Sequence, residues 1–296
     1  MKEVVIAGGT GAIGQKLCKV LIDSGYKVIV LSRKLKTYQK DGVYYQPYPI
    51  TSIEIGEFFE GKFALINLAG HLVADGRWNV KTKDLIYYSR KDTTHDLVEG
   101  INICKNPPNL FISTSAIGYY GDRGIEELDE YSSKGLGFLS DVCMVWEDEA
   151  KKSKIKTAII RVGVVLDKNS GALSKMLLPF KFFVGGPIGN GKQILSWIDI
   201  EDLVNAYKFV LDNSLDGIYN ATAPNPVDMN SFAKTLAKVM KRPNLFRVPS
   251  FVLKVLMGES SVIVLGGQKV IPEELSKAGF KFKYNNLEES LKSQLK

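Results

Sequence analysis

A chain of 296 residues, 45% hydrophobic and 24% charged, suits one large α/β domain or a domain with a smaller appendage. Its net charge of +7 comes from lysines scattered along the chain rather than gathered in blocks; this argues against a nucleic-acid partner and would help draw in a small polyanion. The three cysteines, Cys18, Cys104 and Cys143, lie far apart and fit a reducing cytoplasm, and two histidines, His71 and His95, are too few for a histidine-built metal site.

In chain order, Val4-Val5-Ile6-Ala7 is an apolar run ending in glycines, as a buried parallel strand does. Ile13, Leu17, Val20 and Leu21 then recur at helical spacing up to Gly25. Residues 28–31 read as a second strand, 44–47 as a third, and 64–69, 110–115 and 157–165 as further buried strands; helices fall at 83–103 and 137–152. After Leu166 the pattern loosens into a glycine-rich loop at 185–191, a strand-to-helix passage at 198–211 and one more strand at 217–222. Strands alternating with helices predict a doubly wound parallel sheet of the Rossmann type. We place that domain at 1–168, with its sheet completed by 193–224. A smaller, partly interleaved substrate-side lobe occupies 169–296 and is mainly helical from about 230. A strand entered straight after Met1-Lys2-Glu3 leaves no room for a signal peptide, and the apolar stretch 251–265 is interrupted and too short to span a bilayer. The expectation is a cytoplasmic protein with no membrane partner.

Chemistry enters at the first turn. Gly8, Gly11 and Gly14 follow the first strand and open a helix, within the run Gly8-Gly9-Thr10-Gly11-Ala12-Ile13-Gly14. Glycines permit a tight turn and close backbone approach to a pyrophosphate, and the helix N-terminus offers free N–H donors. The plainer alternative is a tight strand–helix turn with no ligand. The second strand ends Ser32-Arg33-Lys34, where an NAD site would carry an acid for the ribose 2′-hydroxyl. An arginine there accommodates a 2′-phosphate with Ser32 donating, so NADP(H) is the expected cofactor; an ordinary solvated arginine is the alternative.

These features resemble the short-chain dehydrogenase/reductase superfamily in its extended, epimerase-like branch, through the spacing G-x-x-G-x-x-G, Asn67-Leu68-Ala69-Gly70, the hydroxyl-rich run at 113–115 and Ser196-Trp197-Ile198-Asp199. The likeness narrows to NADP-dependent epimerase-family proteins with a distinctive C-terminal domain, through Gly76-Arg77-Trp78, Ser115-Ala116-Ile117-Gly118-Tyr119-Tyr120-Gly121, Gly185-Gly186-Pro187-Ile188-Gly189 and Leu265-Gly266-Gly267-Gln268. The resemblance implies that Leu68 and Ala69 line the adenosine side, that Gly70 and Arg90 reach the cofactor and that Val164 lies near the nicotinamide. Core packing, or solvent for Arg90, is the bland alternative.

In that superfamily a tyrosine and a lysine four residues later serve as acid/base pair, with a hydroxyl on the preceding strand to polarise the substrate. Ser115 fits the hydroxyl. Setting Glu147 on the glutamate that commonly follows the pair puts Leu139 at the tyrosine and Cys143 at the lysine, and neither can substitute. Tyr119 or Tyr120 is then the candidate acid. An unassisted phenol donates a proton but is a poor base at neutral pH, which favours reduction by NADPH over alcohol oxidation. The alternative is that both tyrosines pack as a structural hinge. Arg77-Trp78 and the 185–191 loop are candidates to close over substrate, Arg161 needs a salt-bridge partner inside its strand, and Asp199 and Asp202 read as helix caps. Two classes stay open: an oxidoreductase or epimerase-like enzyme on a small carbonyl or sugar-derived substrate, and a non-catalytic NADP(H)-sensing or scaffold protein. A homodimer is an open possibility in either.

Overall fold

The structure, a computed structural model, describes residues 1–32, 36–49, 51–74 and 76–296. The first apolar run forms β1 (Glu3–Ala7), and α1 (Ala12–Asp23) buries Leu17, Cys18 and Leu21 on one stripe before returning the chain to β2 (Lys27–Ser32). Next come β3 (Tyr38–Lys40), β4 (Val43–Pro47), α2 (Ser52–Phe59), β5 (Ala64–Asn67), α3 (Val80–Ile103) and β6 (Leu110–Ala116). The middle of the chain supplies β7 (Glu127–Leu128), α4 (Phe138–Ala150), β8 (Lys156–Val162), β9 (Val164–Leu166), α5 (Gly171–Lys181), β10 (Ile194–Leu195), β11 (Trp197–Asp199), α6 (Ile200–Asp212), β12 (Gly217–Ala221) and β13 (Val227–Asp228). The rest is α7 (Met229–Met240), α8 (Ser250–Met257), α9 (Val262–Leu265), β14 (Lys269–Val270), α10 (Glu273–Lys277) and α11 (Leu287–Leu295).

Among the described residues, eight strands form one sheet in the order β12-β8-β6-β5-β1-β2-β4-β3, parallel except for the antiparallel edge strand β3. Strand alternation sends Val4 and Ile6 to one face, against Leu17 and Tyr207, and Val5 and Leu65 to the other, against Phe59 and Leu97. Helices therefore cover both faces, which is the doubly wound Rossmann arrangement. A separate core gathers Leu166 and Trp197 with Phe232, Leu236 and Leu291, so it joins residues from both sides of the expected domain division.

Two local readings need correction. Residues 157–165 are not one strand: at Gly163 the chain leaves the sheet, and β9 pairs instead with β11. Gly163 N still donates to Ala221 O while Val164 N donates to Ser196 O, so the switch loses no backbone hydrogen bond. Asp202 caps no helix. Asp199 does, accepting from Glu201 N at 2.8 Å, but the Asp202 carboxylate accepts from Lys283 N and Tyr284 N at 2.8 and 2.9 Å and fastens the C-terminal segment.

That segment is also threaded into the first domain. Its strand β14 runs parallel to β7, Ser196 Oγ donates to Gln268 O at 2.7 Å and accepts from Val270 N, and Asn220 Nδ2 donates to Ile271 O at 3.0 Å. Among the described residues no helix is long and apolar enough to cross a membrane.

Candidate functional site

The glycine turn lies at the C-terminal end of β1, beside the loop that leaves β5. Gly8 has φ +80°, and a Cβ there would come within 2.7 Å of the Leu68 backbone, so only glycine fits. Gly11 is different: a Cβ would meet nothing nearer than 3.5 Å, and Thr10, Gly11 and Ala12 are exposed, with Ile13 half-buried and Gly14 packed on Gly9. Gly11 is the N-cap of α1, no side chain caps the helix, and its first turn carries no acid. Free N–H groups and a positive helix end are thus open to solvent, which fits the pyrophosphate of a dinucleotide. Ser32, buried, ends β2 close by; Arg33 lies outside the described residues.

Across the turn, Leu68 N donates to Ala7 O, Ala69 N donates to Asn67 Oδ1, and Gly70 is exposed. The Arg90 guanidinium lies against Gly70, where a Cβ would sit 3.0 Å from Arg90 Cζ, and stacks 5.0 Å from the Trp146 ring centroid. Its one hydrogen bond among the described residues goes to Ile86 O, and no carboxylate pairs with it. Burial pulls its pKa below the usual arginine value, outweighing a small opposing effect of Cys143.

Ser115 and Tyr120 belong to a buried polar network. Their strands place Ser115, Arg161 and Asn220 side by side on β6, β8 and β12. Ser115 Oγ donates to Glu147 Oε1 at 2.8 Å, and both oxygens of Glu147 receive the Arg161 fork at 2.8 Å. Arg161 Nη1 donates to the Tyr120 hydroxyl, which in turn donates to Asn220 Oδ1, both at 2.8 Å. Ser115, Glu147 and Arg161 are at most 2% exposed and Tyr120 is wholly buried. Burial tends to discharge Arg161, yet the Glu147 pair outweighs it and the pKa rises; burial lifts the Tyr120 phenol to about 12. Ser115 and Tyr120 are thus both buried and hydrogen-bonded within one network that joins β6, β8, β12 and α4.

Tyr119 differs from its neighbour. It is half-buried, its ring lies 3.6 Å under the Arg161 guanidinium, and its hydroxyl has no partner among the described residues. Leu139 and Cys143 sit on α4 beside Gly118, at 3.4 and 3.8 Å from a Cβ built there. Burial pushes the Cys143 thiol to about 11, which rules it out as a ready nucleophile. Val164 is half-buried where β9 begins. Trp78 presents an edge to Phe138 at 5.2 Å and donates to Val73 O, and Arg77 lies by Gly258. The 185–191 loop is pinned along 246–248, with Val248 N donating to Pro187 O and Gly189 N to Val248 O. A depression of about 440 Å³ at Lys2, Lys62 and Asn109 opens at the other end of the strands and has no part in this site.

Sequence reasoning missed Trp146, Asn220 and Glu130. Trp146 could have been found, because Cys143, Trp146 and Glu147 share one face of a helix at i, i+3 and i+4.

A glycine turn at a helix start, packed on a loop whose Gly70 meets an arginine with no carboxylate partner among the described residues, at the carboxyl ends of parallel strands, defines a dinucleotide-type Rossmann site. The NAD dependent epimerase/dehydratase family profile matches residues 4–135, and a domain of unknown function matches 248–294. The epimerase family protein SDR39U1 homolog, chloroplastic, of Arabidopsis thaliana is 38% identical, covering 98% of this chain and 86% of its own. The epimerase family protein YfhF of Bacillus subtilis is 37% identical, over 99% and 97%. The crystal structure of the human epimerase family protein SDR39U1 (isoform 2) with NADPH is 31% identical, covers 98% of both chains and superposes with a TM-score of 0.88. The chain belongs to the epimerase family, in the extended short-chain dehydrogenase/reductase subgroup that carries this C-terminal domain.

Proposed function

We propose that this protein binds NADP(H) and reduces a small carbonyl or sugar-derived substrate. The observation that carries the reading is Arg90, a half-buried cation with no carboxylate partner among the described residues, set against Gly70 in the loop that packs on the glycine turn. A cation in that state is satisfied by an anionic ligand. Gly8, Thr10, Gly11, Ala12, Ile13 and Gly14 would cradle the pyrophosphate, with Ser32 and Arg33 at the 2′-phosphate. Leu68, Ala69 and Gly70 would flank the adenosine, and Val164 the nicotinamide. The human relative with NADPH supports this choice of cofactor.

When bound, NADPH supplies a hydride to the substrate carbon. Tyr119 then supplies the proton to the carbonyl oxygen, yielding the alcohol. With Leu139 and Cys143 set at the positions of the tyrosine–lysine pair, an unassisted phenol suits proton donation better than proton abstraction, which supports the reductive direction. The same two residues favour a second reading, in which the protein binds NADP(H) without turnover.

Titrating the protein with NADPH and NADH, watching quenching of protein fluorescence, tests the cofactor. Equal affinity for the two, or an unchanged preference in Arg33→Ala, would overturn the 2′-phosphate argument. Following NADPH absorbance with aldehydes, quinones and nucleotide sugars separates the two readings, since turnover belongs to the first alone. A Tyr119→Phe variant with full rate would remove Tyr119 as the acid.

A further inference from the structure

Lysines run through the whole sequence, but carboxylates do not. Residues 168–198 hold four cations and no Asp or Glu, and residues 229–258 hold six cations and none. The remainder has 29 cations against 32 carboxylates, so these two segments account for the net charge of +7.

The fold places the two segments side by side. Leu245 N and Phe246 N donate to Gly185 O at 3.3 and 3.4 Å, and the Arg242 guanidinium lies 4.5 Å from the Phe183 ring centroid. On this face large apolar side chains meet water: Phe182 is 69% exposed, Leu245 74% and Phe251 69%, and α8 buries none of its eight residues. Isolated exposed apolar residues are ordinary, whereas a large exposed apolar patch marks an interaction surface; here the charges within both segments are all cationic, and Glu259 just beyond α8 pairs with Lys83.

We propose that this face docks on an anionic lipid surface. Phe182, Leu245, Phe246, Phe251 and Val255 would enter the headgroup–acyl boundary while Lys181, Lys241 and Lys254 meet lipid phosphates. The charge selects this occupant. A second copy of the chain would set the same cations against one another in a two-fold contact. Single-stranded nucleic acid would use the rings, but Leu245, Val255 and Leu256 have no face on which a base stacks. At eight residues α8 is far too short to span a bilayer and would lie in its plane. Surface docking departs from the sequence expectation of no membrane partner. The end of α8 at Gly258 adjoins Arg77, so the docked face borders the loop beside the candidate site. The proposal does not depend on the cofactor reading.

The test is co-sedimentation of the full chain with vesicles of phosphatidylglycerol and phosphatidylcholine in equal parts, against phosphatidylcholine alone. Binding is expected to the mixed vesicles only and to weaken as salt rises. Lys181→Gln with Lys254→Gln should weaken it about 25-fold, a factor of about five per cation. Phe182→Ser with Phe251→Ser should abolish it without lowering the melting temperature. No sedimentation with mixed vesicles would overturn the proposal, as would a serine variant that binds like the parent, which is mere adsorption of a basic protein. Dimerisation, or retention by an oligonucleotide or an acidic protein, lost in the serine variant while vesicles fail to bind, would overturn it equally.

Discussion

Replacing Glu147 by alanine tests whether the Ser115–Glu147–Arg161–Tyr120 network is structural. Glu147 and Arg161 are 1% and 2% exposed, and the substitution removes both 2.8 Å bonds of the guanidinium fork together with the acceptor of Ser115. Arg161 keeps the Tyr120 hydroxyl at 2.8 Å, Glu130 O at 3.3 Å and the face of the Tyr119 ring at 3.6 Å, none of which carries a full charge. An uncompensated buried cation costs roughly 3–5 kcal/mol, which for a chain of this size lowers the melting temperature by roughly 6–15 °C. Ser115→Ala leaves the ion pair intact and should cost about 1–2 kcal/mol. Glu147→Leu combined with Arg161→Met removes both desolvated charges and should regain most of the loss. Urea titration followed by tryptophan fluorescence, with thermal melts, measures all three. A Glu147→Ala variant within about 1 kcal/mol of the parent, or a double variant no better than the single one, would refute the reasoning.

Arg90→Ala should weaken NADPH binding about 10- to 100-fold, the worth of a charged hydrogen bond, without destabilising the free protein; fluorescence titration and a melt together check it. Burial raises the Glu130 carboxyl above its ordinary value of 4.5, so the folded protein holds a proton that the unfolded chain releases. Stability should then fall as pH rises from there through the raised folded value, and Glu130→Gln should flatten that slope in urea titrations at stepped pH. Burial also lifts the Cys143 thiol to about 11 and that of Cys104 likewise, and Cys18 is raised to about 12. Ellman's reagent at mildly alkaline pH should therefore label the native protein only slowly and the urea-unfolded chain at once.

The sheet was readable because its strands are buried on both faces and so appear as continuous apolar runs. That same property hid the break at Gly163, where apolar residues continue into β9 although the chain has left the sheet. The glycine turn was readable because its spacing is local. The hydrogen-bond network of Ser115 and Tyr120 was hidden because sequence does not say which face of the sheet a polar residue meets. Thr114 reaches Tyr207 on α6, while Ser115, one residue on, turns to Glu147 on α4. Ser115, Arg161 and Asn220 each interrupt an apolar strand, yet their alignment depends on register between strands distant in sequence. Glu130 carries no local signal, since its partners Asn220 and Glu274 lie on β12 and α10.

The threading of residues 267–274 into the first domain bears on how the chain is made. All eight strands of the main sheet have been synthesised once Ala221 emerges from the ribosome. Until about fifty residues later, however, the Asn220 amide and the Ser196 hydroxyl lack their partners at 268–271, and Glu130 Oε1 lacks the Glu274 N–H. The nascent Rossmann domain therefore waits, with its polar seam open to water, for a late-arriving strap. The 248–294 segment that family comparison marks as a separate module is the closing piece of the domain before it.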